Sequence, residues 1–271
     1  TIETMNLKIR LTIMSFLQFA VWGAYLTCMG IYLSKIGMGD RIGSFFAMQG
    51  VVSLFMPALI GVVADKWVPA QRMYGYCHLL AGCFMLLAGW YGQQYGAQAD
   101  FLILFCFYSL SIAFYMPSLA LSYSVSYSIL QREGLDTVRV FPSIRMFGTI
   151  GFIMSMWFVD LMDYEQDYHQ FFVSGILSIA LFLFAMTLPA CPVNKQGGKK
   201  SFAEVFGLQA FSLFKQREMA IFFLFAVLLG VCLQVTNGFA TPFLEHFRTI
   251  PAYQDSLGVR YPVILYSISQ I

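Results

Sequence analysis

The chain has 271 residues with 16 Lys+Arg against 14 Asp+Glu, a formal net charge of +2. Only 11% of its residues are charged and 59% are apolar, with a mean hydropathy of +0.69, whereas soluble domains carry about 25% charged residues; a soluble globule is excluded. The 28 Phe and 15 Tyr exclude a disordered chain, and the small, scattered charge excludes a nucleic-acid binder, which leaves an integral membrane protein.

A helix needs about 20 apolar residues to cross the hydrocarbon core. Seven stretches qualify: 11–33, 43–63, 74–95, 101–129, 143–161, 169–189 and 219–244. An eighth begins near Tyr261 and is cut at Ile271, which reads as a piece of a longer protein. Short alternating segments of the outer-membrane barrel kind are absent. The predicted fold class is therefore all-α: a helical bundle with seven complete spans and the start of an eighth. The apolar run after Lys8 and Arg10 is too long for a signal-peptide core and lacks a small-residue cleavage site, so it is a retained first span.

In that first span Gln18 and Trp22 form an i, i+4 pair, which in so aromatic a chain reads as packing. After the second span comes Gly61-Val-Val-Ala-Asp65-Lys66-Trp67, which resembles the first half of the major facilitator signature, Gly-x-x-x-Asp-Arg/Lys. There Asp65 would act as a conformational gate by capping a neighbouring helix or pairing with a cation. The second half departs, with Val68, Pro69 and Ala70 in place of Gly and basic residues. His78 in the third span reads as a hydrogen-bonded helix residue. Cys28, Cys77, Cys83, Cys106 and Cys232 lie in apolar runs, where thiols behave as small hydrophobes, and no Cys/His spacing suggests a metal.

Arg145 is the one basic residue left inside a span, the fifth. A charge there costs at least about 2.5 kcal/mol at the bilayer centre, so such residues face the interior. Arg145, Thr149 and Phe152 fall at i, i+4 and i+7, placing a cation, a hydroxyl and a ring on one helix face, with Gly148 and Gly151 permitting close packing. The alternative is an arginine snorkelling to headgroups or pairing with Asp136. Asp160, Asp163, Glu165 and Asp167 then read as a solvated acidic loop between spans five and six.

The longest interruption, 190–218, contains Pro192 and the run from Asn194 to Lys200, followed by an amphipathic stretch from Ser201 to Leu213. This divides the chain into an N-terminal six-helix half at 1–189, a cytoplasmic linker with a short amphipathic helix at 190–218, and the start of a C-terminal half at 219–271. It is the layout of transporters built from two six-helix halves. Phe16, Leu17, Gly23 and Leu26 of the first span recur as Phe223, Leu224, Gly230 and Leu233 of the seventh. In the seventh span Gln234 and Asn237 are i, i+3, with Thr241 a turn further on; their amides suit base edges and sugar hydroxyls, or serve as interhelical glue. Gln270, in the eighth span, carries the same ambiguity. No Asp or Glu sits mid-span, so a proton-coupling carboxylate at membrane depth would lie beyond Ile271.

The positive-inside rule orients the chain. An N-terminus in the cytoplasm puts Lys8, Arg10, Lys66, Arg72, Arg132, Arg139, Lys195, Lys199, Lys200, Lys215 and Arg217 on that side, against Lys35, Arg41, Arg248 and Arg260 outside.

Collinear segments along the whole chain then point to one family: Met5-Asn-Leu-Lys8, Ser15-Phe-Leu-Gln-Phe19, Phe55-Met-Pro-Ala-Leu59, Val63-Ala-Asp-Lys-Trp67, Tyr115-Met-Pro117, Ile144-Arg-Met-Phe-Gly-Thr-Ile-Gly-Phe152, Met219-Ala-Ile-Phe-Phe223, Gln234-Val-Thr-Asn237 and Ser267-Ile-Ser-Gln270. In these the chain resembles the bacterial nucleoside:proton symporters of the major facilitator superfamily. The resemblance implies twelve spans in two bundles and secondary active import of nucleosides across the inner membrane, driven by proton entry through alternating access. It places substrate contacts at Arg145, Thr149, Phe152, Gln234, Asn237 and Gln270. The family's acidic site residues fall outside this chain. The expected partners are a nucleoside, protons and the lipid bilayer, with no nucleic acid; the protein is expected to be a monomer and not an enzyme, with the proton as coupling ion and no other cofactor or metal. The rival readings are a sugar or oligosaccharide porter of the same superfamily, and a membrane receptor or channel that does not pump.

Overall fold

The computed structural model describes the backbone of residues 2–191 and 208–270, and the side chains of 5–64, 67–191 and 212–269. Among the described residues every regular element is a helix. In chain order these are α1 (Ile2–Gly23), α2 (Met29–Lys35), α3 (Ile42–Lys66), α4 (Ala70–Tyr95), α5 (Phe101–Arg132), α6 (Thr137–Leu161), α7 (His169–Ala185), α8 (Arg217–His246), α9 (Leu257–Arg260) and α10 (Pro262–Ser267). Five helical runs are long and apolar enough to cross a membrane: Gly39–Ala64, Ala70–Gln98, Phe101–Arg132, Thr137–Leu161 and Arg217–Thr249. The chain is a multi-pass helical membrane protein.

The first predicted span, 11–33, is broken. The α-helical ladder stops at Gly23 and resumes at Met29, with Tyr25 N donating to Trp22 O (3.3 Å) and Cys28 N to Tyr25 O (3.2 Å) in tighter turns between them. Irregular backbone at membrane depth survives only where protein surrounds it. Here Ala24, Tyr25, Leu26, Thr27 and Cys28 are all buried, and the freed carbonyl of Thr27 accepts the hydroxyl of Thr241 on α8. A local deviation from the sequence pattern is thus stabilised by a neighbouring helix.

Helix starts follow the sequence. Asp100 caps α5 by accepting from Leu102 N (2.8 Å) and Ile103 N (3.3 Å), and Asp136 caps α6 by accepting from Val138 N (3.0 Å). In the bundle α4 packs on α7 and α5, α3 on α5, and α1 on α6 and α7. The α1–α6 crossing is close because Gly151 faces the backbone of Phe16; a Cβ at Gly151 would collide with it. Buried aromatic residues concentrate around Tyr25, Phe45, Tyr108 and Phe171, while a second core holds Leu11, Met14, Tyr74 and Leu181.

The region 160–167 is only in part the solvated loop expected from its acidity: Asp163 is exposed, but two of its four carboxylates are not. Asp160 and Glu165 are both 1% exposed. Asp160 accepts the Ile264 amide (3.0 Å) at the start of α10, and Glu165 accepts from Gln166 Nε2 (3.1 Å). The start of α10 meets Asp160, while the 164–166 turn that carries Glu165 packs against α2, α6 and α7; these are neighbours that local sequence cannot announce. The expected linker falls largely on 192–207, outside the described residues; the expected amphipathic stretch Ser201–Leu213 is described only from Leu208, where a 3-10 turn (Leu208–Lys215) leads into α8. That helix meets the bundle through its second half, where Asn237, Gly238 and Thr241 are buried, while Phe222, Phe225 and Leu229 are exposed.

Candidate functional site

Two groups of polar side chains in the described spans stand out. The first surrounds Gln18 of α1, which is fully buried. Its Oε1 accepts from Tyr74 OH (2.7 Å) and lies 2.8 Å from His78 Nε2, and its Nε2 donates to Ser118 Oγ (3.0 Å). Its backbone carbonyl accepts Tyr115 OH (2.7 Å), and His78 Nδ1 lies 3.0 Å from Ser178 Oγ. One glutamine thereby ties α1 to α4 and α5, and through His78 to α7. As the sequence suggested, His78 is a buried, hydrogen-bonded helix residue.

The second group lines a cavity of about 220 Å³ between α1, α6 and α8. Its walls are Phe19, Trp22 and Leu26 from α1 and the turn after it, Arg145, Thr149 and Phe152 from α6, and Leu233 and Asn237 from α8. Each triplet has helical spacing, so each helix contributes one face. The repeat noted in the sequence meets here, because Leu26 and its counterpart Leu233 line the same cavity. Trp22 stands edge-on to Phe152, with centroids 6.3 Å apart at 85°. The Arg145 guanidinium lies over the Phe19 ring, 3.8 Å from its centroid, and Arg145 Nε donates to Tyr123 OH (3.2 Å). Asp136, the alternative partner, caps α6 and pairs instead with Arg139 (3.4 Å). Among the described residues no carboxylate pairs with Arg145.

The predicted contacts are only partly assembled. Arg145, Thr149, Phe152 and Asn237 share the cavity. Gln234 does not line it: three residues from Asn237 on a 3.6-residue helix, it points to a neighbouring groove with Phe46 and Gly50 of α3. It acts indirectly, its Oε1 accepting from Asn237 Nδ2 (3.3 Å), while Asn237 Oδ1 accepts Tyr266 OH (2.8 Å). Thr241 is spent on the Thr27 carbonyl. The side chains of Asp65 and Gln270 lie outside the described residues. Sequence reasoning assigned Trp22 to packing; the signal that places it in the wall is the i, i+3, i+7 spacing of Phe19, Trp22 and Leu26.

A larger cleft of about 560 Å³ opens between α2 and the end of α8. Its charges are already engaged: Arg248 pairs with Glu245 (3.1 Å), and Lys35 donates to Gln166 Oε1 (3.3 Å). The smaller cavity combines a cation without a counter-charge among the described residues, a hydroxyl, an amide and aromatic walls. That set has the donors and rings that suit a polar, ring-bearing solute, and among the described lining residues there is no nucleophile–base pair.

Comparison with known proteins agrees with this chemistry. Residues 5–271 match the family model described as Nucleoside H+ symporter. The chain is 43% identical over 269 residues to nucleoside permease NupG of Escherichia coli (strain K12), and 41% identical over 269 residues to the xanthosine permease of the same organism. Each alignment covers 98% of this chain and 63% of the relative, so the chain spans less than two thirds of the length of these curated relatives. A crystal structure of nucleoside transporter NupG superposes with a TM-score of 0.84 at 42% identity, covering 98% of this chain and 64% of that one. The chain belongs to the nucleoside H+ symporter family.

Proposed function

We propose that the protein imports nucleosides across the bacterial inner membrane together with protons, by alternating access of two helical halves around the cavity between α1, α6 and α8. The observation that carries this reading is Arg145: a cation inside a span, without a counter-charge among the described residues, facing aromatic walls and an amide contributed by the second half. Permeases 43% and 41% identical that are named for nucleosides and xanthosine support the substrate class.

In this mechanism Phe152 stacks on the base, with Trp22 as the adjoining wall. Arg145, Thr149 and Asn237 hydrogen-bond the base edge or ribose, Gln234 holds Asn237, and Gln270 completes the site from the eighth span. Because α1 and α6 belong to one half and α8 to the other, a bound solute bridges the halves, and its binding energy is available to favour their closure. Asp65 acts as a latch on the cytoplasmic side, its loop identified by the partial Gly-x-x-x-Asp-Lys signature. The proton is carried by a carboxylate that follows Gln270 in the family, beyond Ile271. The N-terminus is cytoplasmic, as the basic loops require, and the working unit is a monomer in the lipid bilayer.

The test is uptake of labelled uridine and adenosine by cells making the intact protein. Saturable accumulation that collapses with a protonophore, and that nucleosides but not sugars inhibit, is the expected result. Competition by sugars alone identifies a sugar porter. Binding without accumulation identifies a receptor, and non-saturating flux a channel.

A further inference from the structure

The environment of Arg145 fixes which edge of its guanidinium is free. Its Nε donates to Tyr123 OH (3.2 Å). Tyr123 is itself held on α5, edge-on to Phe141 of α6, with centroids 5.5 Å apart at 87°. One face of the guanidinium plane lies on Phe19, a ring only 6% exposed, at 3.8 Å. Gly148, one turn along α6, leaves the space this needs: a Cβ there would stand 2.5 Å from Phe19 Cδ2 and 3.0 Å from Arg145 Nη1. Plane and Nε are thus both fixed by side chains on other helices, Phe19 in the cavity wall on α1 and Tyr123 behind it on α5.

We propose that Tyr123 and Phe19 are positioning residues that present Arg145 to the substrate end-on, through its two Nη groups alone. The inference rests on the reading of Arg145 as a substrate contact. An unanchored guanidinium offers either its Nε–Nη side or its Nη–Nη end to a pair of acceptors. With Nε engaged by Tyr123, the side-on mode is closed, and the remaining N–H donors all lie on the Nη groups. Holding the fork flat also lowers the rotamer entropy lost when substrate binds, since a side chain already immobilised need not be ordered on association. Neither Tyr123 nor Phe19 needs to touch the nucleoside to do this.

The experiment is a double-mutant cycle on the intact protein, with uridine binding measured by calorimetry and fold integrity by melting temperature and monodisperse elution. Tyr123→Phe removes only the hydroxyl and is expected to raise the uridine Kd about tenfold, the scale of one hydrogen bond to a charged group. The same change in an Arg145→Lys background, where there is no Nε to anchor, is expected to alter Kd less than about twofold. Phe19→Leu is expected to weaken binding in the same Arg145-dependent way, and Phe19→Tyr, which keeps the platform, to restore it. If Tyr123→Phe leaves Kd unchanged, or costs as much beside Arg145→Lys as beside the native arginine, the positioning inference is overturned while Arg145 remains a substrate contact. If Arg145→Ala itself binds uridine like the parent protein, the underlying site reading falls and this inference falls with it.

Discussion

Gln18 and Trp22 are one turn apart on α1, yet they belong to opposite kinds of polar environment. Around Gln18 every hydrogen-bonding atom of the side chain has a partner on another helix. Around Arg145, which Trp22 and Phe19 flank, one donor is anchored and no carboxylate answers the charge among the described residues. Inside a membrane an unsatisfied polar group is expensive, so the fully satisfied cluster reads as assembly and the incomplete one as a place kept for a ligand. The comparison teaches that polarity in a span does not by itself mark a site. A charge that faces a cavity with no counter-charge among the described residues is the stronger mark.

The largest effect that sharpens this contrast is Arg145→Ala. Losing a charged hydrogen bond costs about 1.5–3 kcal/mol, so uridine affinity should fall tenfold or more, while the melting temperature holds or rises because an unpaired cation has been removed. Gln18→Leu should do the reverse. It strands Tyr74, His78 and Ser118, each buried group costing about 1–3 kcal/mol when unsatisfied, so the melting temperature should drop while the folded fraction binds uridine with near-parent affinity. If Gln18→Leu weakens binding without lowering the melting temperature, the division between the two clusters is broken.

The smallest effect lies at the outer acidic segment. Burial pushes the Glu165 carboxyl above its ordinary value of 4.5, with nearby Asp163 raising it further, against the opposing influence of Gln166 and Arg248. The folded state therefore holds this proton more tightly than the unfolded chain. The associated stability is complete below pH 4.5 and is lost as pH rises through the folded value. Glu165→Gln should escape that loss, so its melting temperature should gain on the parent's as pH rises above 4.5. A difference that is constant with pH would show that Glu165 does not titrate in this way.

Much of the architecture was legible because hydropathy and helical period are local. The apolar lengths marked five of the seven expected spans as membrane-length helical runs, and Arg145, Thr149 and Phe152 fell on one face by spacing alone. Asn237 was equally visible as an amide in an otherwise apolar helix, and the collinear segments identified the family. Tertiary structure decided what each face would meet. It broke the first span at Gly23, where Thr241 meets the Thr27 carbonyl, and it buried Asp160 against the start of α10 and Glu165 in a turn packed on α2 and α7. It also moved Trp22 from packing to a cavity wall and turned Gln234 to the groove beside α3. Periodicity fixes which residues share a face, but the neighbour each face meets is set by helices far away in sequence, and that neighbour determines whether a polar side chain becomes glue or is left facing a ligand.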